Sequence, residues 1–231
     1  KTWQLPEVLP QLSSLLEPGG VAVPLLNGIE AGDAIAAKLG KERVCGGLAH
    51  LFAWIAAPGV VRRAGIPPKV TAGELYGHGR DRLEKLAGAL RGAGADAVVS
   101  PDIKSALWEK LLFVGPLGAV GAAARLPAGR VRSVTETRAL LERAMREVQA
   151  VARASGASIP DTAISTAMAR VDALPADGTT SMHRDLLSGR RSELDDLVGA
   201  VVRAAGTRKV GVPVHETLYG LLLPHELAAR G

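Results

Sequence analysis

The chain has one cysteine and, among 231 residues, only three Trp, two Tyr and two Phe. A lone thiol, Cys45, forbids an internal disulfide, which makes the cytoplasm the expected compartment. Aromatic residues at 3% are too few for stacking platforms, and the 28 basic residues are scattered apart from Arg190-Arg191. No nucleic-acid partner is therefore expected, despite a net charge of +5. The five histidines, at 50, 78, 183, 215 and 225, fall at no metal-ligand spacing, so no metal is expected. There is no GxSxG, GxxxxGK[ST], HExxH or CxxC, which leaves serine-hydrolase, P-loop and zinc-hydrolase chemistry without support, and no GxGxxG. No apolar run reaches the roughly 18 uninterrupted residues of a membrane span, and Lys1-Thr2-Trp3-Gln4 lacks a signal peptide's apolar core. No membrane partner is expected. The start at Lys1, without a methionine, is expected to mark a piece of a longer protein.

What is present is globular: 47% hydrophobic and 22% charged residues, in a length that suits one large domain or two small ones. Val8, Leu9, Leu12, Leu15 and Leu16 form a helical stripe closed by Pro18-Gly19-Gly20. Val21 to Leu26 predicts a strand with an irregularity at Pro24, Asn27-Gly28 a turn, and Ala31 to Leu39 a helix ended by Gly40. Strands are predicted over Val44–Ala56, Gly59–Arg63 and Lys69–Gly73, the last two parted by Ile66-Pro67-Pro68. A helix over Arg80–Leu90 and a strand at Ala97-Val98-Val99 follow. Beyond Pro101 only helices are expected: Ile103–Val114 capped by Asp102, Val134–Ala154, one opened by Asp161, Ser181–Leu187, Glu193–Ala205 and Glu216–Leu227. The fold class is α/β plus all-α, with domains at 1–100 and 101–231.

Four positions could carry chemistry. Lys110 shares a helical stripe with Ile103, Leu107 and Val114, where the pattern wants a core residue. Two readings stay open: a lysine that snorkels outward along its stem, and one at a cleft floor serving as proton donor or carboxylate partner. Glu193 borders the stripe Leu194, Leu197, Val198, Val201 and Val202, but Ser192 followed by Asp195 also reads as a capping-box-like start, and an acid in the first turn complements the helix dipole. Ser181 is either a helix cap or a ligand, and Asn27-Gly28 is by itself a common turn.

In order and spacing, Lys1-Thr2-Trp3-Gln4, Pro24-Leu25-Leu26-Asn27-Gly28, Gly40-Lys41-Glu42-Arg43-Val44, Pro58-Gly59-Val60-Val61, Leu107-Trp108-Glu109-Lys110, Ser181-Met182-His183-Arg184-Asp185 and Ser192-Glu193-Leu194-Asp195 resemble the ketopantoate reductase (2-dehydropantoate 2-reductase) family. The resemblance covers essentially the whole chain. It implies a partial NAD(P)-binding Rossmann domain followed by an all-helical C-terminal domain, with the active site in the cleft between them. It also implies that about 70 residues carrying the GxGxxG turn precede the segment matching Lys1. The implied activity is NADPH-dependent reduction of a 2-keto acid in pantothenate biosynthesis by a cytoplasmic enzyme, with a keto-acid substrate and a homodimer as the expected assembly. Position by position, Lys110 matches the catalytic lysine, Glu193 the active-site glutamate, Ser181 a substrate-carboxylate serine, and Asn27 and Lys1 the residues near the nicotinamide. The family's asparagines are replaced by Val114 and Gly118. The replacements predict weak discrimination for ketopantoate, and a larger, drier pocket that would suit a bulkier or more apolar keto substrate. A non-catalytic fragment without the dinucleotide loop is the third reading.

Overall fold

The computed structural model describes residues 1–231 except the side chains of Phe52, Trp54, Ala64 and Ile66. Phe52 and Trp54 fall within the strand expected over 44–56 and Ile66 within the break expected before Lys69; these side chains lie outside the described residues. The contacts resolve into two compact units, one made of Lys1–Leu26 and Glu30–Ala106, the other of Asn27–Ile29 and Leu107–Gly231.

The first unit holds α1 (Leu5–Leu15), α2 (Ala31–Leu39), α3 (Arg80–Gly92) and a three-stranded sheet of β1 (Gly46–Ala57), β2 (Val60–Gly73) and β3 (Asp96–Ser100). The order is β1-β2-β3; β1 and β2 are antiparallel, β2 and β3 parallel. The strand expected at Val21–Leu26 is reduced to a single bridge, Ala22 with Val44. Its two ladder bonds run from Ala22 N–H to Arg43 O and from Cys45 N–H to Ala22 O, and Pro24 has no N–H with which to extend them. The two strands expected on either side of Ile66-Pro67-Pro68 are one, β2. The prolines leave their mark within it: the register shifts after the His50–Lys69 pair, where donors are missing.

Gly46 and Gly73 face each other across β1 and β2, and both lie against Ile103, with a Cβ built on either coming within 2.8 Å of that side chain or closer. Ile103 opens α4 (Ile103–Ala124), and the Asp102 carboxylate caps it, accepting the Ser105 amide at 3.0 Å and the Ser105 hydroxyl at 2.6 Å. These bonds outweigh burial and hold the Asp102 carboxyl below its ordinary value.

The second unit is helical throughout: α5 (Ala128–Ser133), α6 (Thr135–Ala154), α7 (Ala163–Ala173), α8 (Ser181–Leu187), a π turn at Asp195–Gly199, α9 (Ala200–Arg208) and α10 (Pro213–Ala228) join most of α4. By length and composition α4 could cross a membrane, yet it carries Lys104, Glu109 and Lys110, and its Trp108, Leu111, Leu112, Leu117 and Val120 belong to the buried core of the helices. Its apolarity is that of a central helix surrounded by neighbours. In the same core, Leu141, Met145, Val148 and Val151 of α6 are completely buried at helical spacing.

α4 reaches its neighbours through glycines three residues apart. A Cβ on Gly115 would stand 3.0 Å from Leu197 O in the π turn; on Gly118, 2.7 Å from both Thr180 Oγ1 and Met182 Cε; on Gly121, 2.9 Å from His183 Nδ1. Each lacks a side chain because the neighbouring segment already occupies that space.

Candidate active site

The site grows from three segments of the helical unit. Lys110 sits two turns into α4, on the half-buried flank of the helix, while Leu111 and Leu112 turn into the core. Glu193 precedes the π turn and is 2% exposed. Asn27 lies in the turn that packs with the helices: its Nδ2 donates to Glu193 Oε2 at 3.1 Å. Gly28 fixes that turn, since its φ of +93° suits glycine and a Cβ there would come 2.8 Å from Asp196 O. The Asn27 amide is thereby seated against the segment that carries Glu193.

The electrostatics link Lys110 to Glu193. Burial pushes the Lys110 ammonium below its ordinary value of 10.5, and the Glu193 carboxylate pulls it partly back. A lysine so placed releases its proton more readily than an exposed one, while the adjacent carboxylate keeps the charged form populated.

Ser181 is the first residue of α8, but it is not the cap. Thr180 is, accepting the His183 amide on Oγ1 at 3.2 Å. The Ser181 hydroxyl has no hydrogen-bond partner among the described residues. Thr180 and Met182 on either side of it meet α4 at Gly118, eight residues and about 12 Å along the axis from Lys110. Lys1 belongs to the first unit, its ammonium 5.8 Å from the centre of the Trp3 ring. The structure thus brings Asn27, Lys110 and Glu193 together and sets Ser181, on α8, next to a point farther along α4.

Two expectations need correction. Ser192 and Asp195 do not form a capping box: the Ser192 hydroxyl accepts the Leu194 amide at 3.2 Å and donates to Glu226 at 2.6 Å. Nor does Gly118 leave open space. Val114 packs against the helical core, and the room beside Gly118 is filled by Thr180 and Met182. Gly118→Asn is expected to overpack this contact and lower stability by about 1–3 kcal/mol, measured by thermal unfolding. Unchanged stability together with sharper substrate selectivity would show that the position does face open space.

The spacing did not reveal a group of polar residues behind Glu193. Asp195 accepts from the Tyr219 hydroxyl and from Arg230, Arg230 Nε donates to Glu226 Oε1 at 3.0 Å, and Glu226 is fully buried. Burial would raise the Asp195 carboxyl, but its bonds from Tyr219 and Arg230 hold it below the usual range. Burial and the bond to Asp195 push the Tyr219 phenol up to about 12. A signal did exist: His215, Leu218, Leu222 and Glu226 form the buried stripe of α10, with an acid where a core residue is expected.

Comparison with known proteins identifies the family. Residues 102–226 match the model "Ketopantoate reductase PanE/ApbA C terminal", and residues 1–77 match "Ketopantoate reductase PanE/ApbA". The chain belongs to the ketopantoate reductase family. The 2-dehydropantoate 2-reductase of Halobacterium salinarum is 32% identical over 88% of this chain and 67% of its own length. The crystal structure of 2-dehydropantoate 2-reductase from Geobacter metallireducens shares 28% identity, covers 96% of this chain and 74% of its own, and superposes with a TM-score of 0.89. D-mandelate dehydrogenase, solved with NADH and anilino(oxo)acetate, reaches the same TM-score at 22% identity over 100% of this chain and 75% of its own, a likeness of fold. The architecture is that of ketopantoate reductases, a Rossmann-like N-terminal part followed by a helical C-terminal domain, within which Lys110 and Glu193 lie in the C-terminal match.

Proposed function

We propose that this ketopantoate reductase family member is a cytoplasmic, NADPH-dependent 2-keto acid reductase, with residues 1–100 serving the dinucleotide and 101–231 supplying catalysis. The observation that carries the reading is the half-buried Lys110 in the field of the buried Glu193 carboxylate, itself held by Asn27. The 231 residues contain no GxGxxG turn, so none is assigned to the pyrophosphate. The donor set fits the reacting end, with Asn27 and Lys1 assigned to the nicotinamide side. When bound, the dinucleotide supplies the hydride.

The chain's own residues do the rest. As the keto carbon is reduced, its oxygen becomes an alkoxide, and Lys110 Nζ stabilises the growing charge and delivers the proton. Glu193 keeps Lys110 charged before that step and orients it. Asn27 fixes the Glu193 carboxylate through the 3.1 Å bond. Ser181 offers a hydroxyl to the substrate carboxylate. Val114, which cannot hydrogen-bond, leaves selectivity among 2-keto acids weak, with 2-dehydropantoate one accepted substrate.

Oxidation of NADPH, and of NADH in parallel, against a panel of 2-keto acids that includes 2-dehydropantoate tests the reading. Reduction of several 2-keto acids and none of the matching methyl ketones is expected. Failure with every acid would end the proposal; a marked preference for 2-dehydropantoate would overturn the argument from Val114.

A further inference from the structure

We propose that Glu226 on α10, acting with Ser192 and Arg230, is a positioning residue that sets where the Glu193 carboxylate stands beside Lys110. The inference rests on the reading of Lys110 and Glu193 given above. Glu226 is fully buried, an unusual place for a carboxylate, and three donors converge on it. Oε2 accepts the Ser192 backbone N–H at 2.9 Å and the Ser192 hydroxyl at 2.6 Å, and Oε1 accepts Arg230 Nε at 3.0 Å. The Ser192 oxygen in turn accepts the Leu194 amide at 3.2 Å. The residues on both sides of Glu193 are therefore tied to one side chain of α10.

The next residue is tied to the same helix. Asp195 is held through its carboxylate by Tyr219 and by the other end of the Arg230 guanidinium, and Arg203 Nη2 donates to its carbonyl at 2.9 Å. Arg230 thus bridges Glu226 and Asp195 across the Glu193 segment. This clasp holds a stretch where helical bonding is irregular, because the π turn begins at Asp195.

A purely structural role would not need a charge here. Well-packed apolar side chains commonly replace buried ion pairs without loss of stability, so a buried carboxylate is weak evidence for a stabilising function. All three donors to Glu226 belong to Ser192 and Arg230, and both of these residues fix the backbone on which Glu193 rides. Small displacements matter, since the Lys110–Glu193 attraction acts in a low-dielectric setting and catalytic geometry tolerates little error. The Glu193 field offsets part of the burial of Lys110.

Glu226→Gln keeps an acceptor for Ser192 but presents a neutral amide to Arg230. Measured in the complete protein with a 2-keto acid and the dinucleotide, it is expected to lower kcat about 10- to 100-fold. KM for the dinucleotide should stay unchanged, and the high-pH limb of kcat should move to lower pH. Ser192→Ala, which retains the backbone bond and disturbs folding less, should change both in the same direction by a smaller factor. Because Glu226 acts through Glu193, adding Glu226→Gln to Glu193→Gln should cost no further kcat. The proposal is overturned if Glu226→Gln and Ser192→Ala lose only thermal stability, or if Glu226→Gln costs the same factor in the Glu193→Gln background. Should Lys110→Ala and Glu193→Gln themselves leave kcat intact, the underlying reading fails first and the positioning role falls with it.

Discussion

Replacing Lys110 by alanine is expected to lower turnover by about 10²–10⁴-fold while leaving affinity for the dinucleotide almost unchanged. The factor is that of a general acid removed from its reaction, because no other cation in the site is assigned to the developing alkoxide. Lys110→Arg should not rescue the loss: a guanidinium keeps the charge but does not release its proton at working pH. Steady-state kinetics with a 2-keto acid, together with titration of the dinucleotide, separates the two quantities. Unchanged turnover in Lys110→Ala would return the lysine to the snorkelling role that its helical spacing also allows.

The second large effect lies away from the chemistry. Glu147 on α6 caps α10, accepting the Val214 amide at 2.8 Å, the His215 amide at 2.9 Å and the His215 ring at Nδ1, 2.7 Å away. His215 is fully buried, so its Nδ1–H depends on this carboxylate; its Nε2 has no hydrogen-bond partner among the described residues. Glu147→Ala would leave three donors without an acceptor, two of them backbone groups at the start of a helix. At about 1–3 kcal/mol for each buried group left unsatisfied, the expected loss is about 3 kcal/mol or more.

The effect carries a pH signature. Burial would raise the Glu147 carboxyl, but the bonds from His215 and the two amides win and hold it below its ordinary 4.5. A carboxylate depressed by folding contributes its full stability above the ordinary value and loses it as the pH falls through the folded one. The gap between wild type and Glu147→Ala in urea unfolding should therefore be widest near neutrality and narrow in acid. A gap under about 1 kcal/mol at neutral pH would mean that water replaces the carboxylate.

These residues differ in how far the sequence betrayed them. Lys110 stood out because a charge interrupted the stripe Ile103, Leu107, Val114, and the structure places it on the half-buried flank that this conflict implies. Glu226 interrupts the α10 stripe in the same way, yet its meaning depends on Ser192 and Asp195, more than thirty residues earlier in the chain. No local pattern reports such a pairing. Ser192 and Asp195 had the spacing of a cap, and tertiary contacts with α10 overrode it. The helices after Pro101 were legible because their apolar periodicity is strong, although α5 and the π turn were not foreseen, the first being one short turn-rich piece and the second a local change of period. At Val21–Leu26 the apolar run was real, but a strand also needs donors and a partner, and Pro24 limits both. Gly118 looked like a vacancy because a sequence shows which side chain is missing and not which neighbour has moved into its space.

The pH dependence of kcat in wild type and in Glu193→Gln, measured side by side with the same 2-keto acid, tests most directly whether Lys110 and Glu193 work as a pair. In the wild type, activity should fall as the pH rises through the lowered value of Lys110, because the protonated lysine is the active form. Removing the carboxylate charge takes away what holds that value up, so the limb should move to lower pH in Glu193→Gln, with kcat reduced at neutrality. A limb at the same pH in both proteins would contradict the pairing of Lys110 with Glu193.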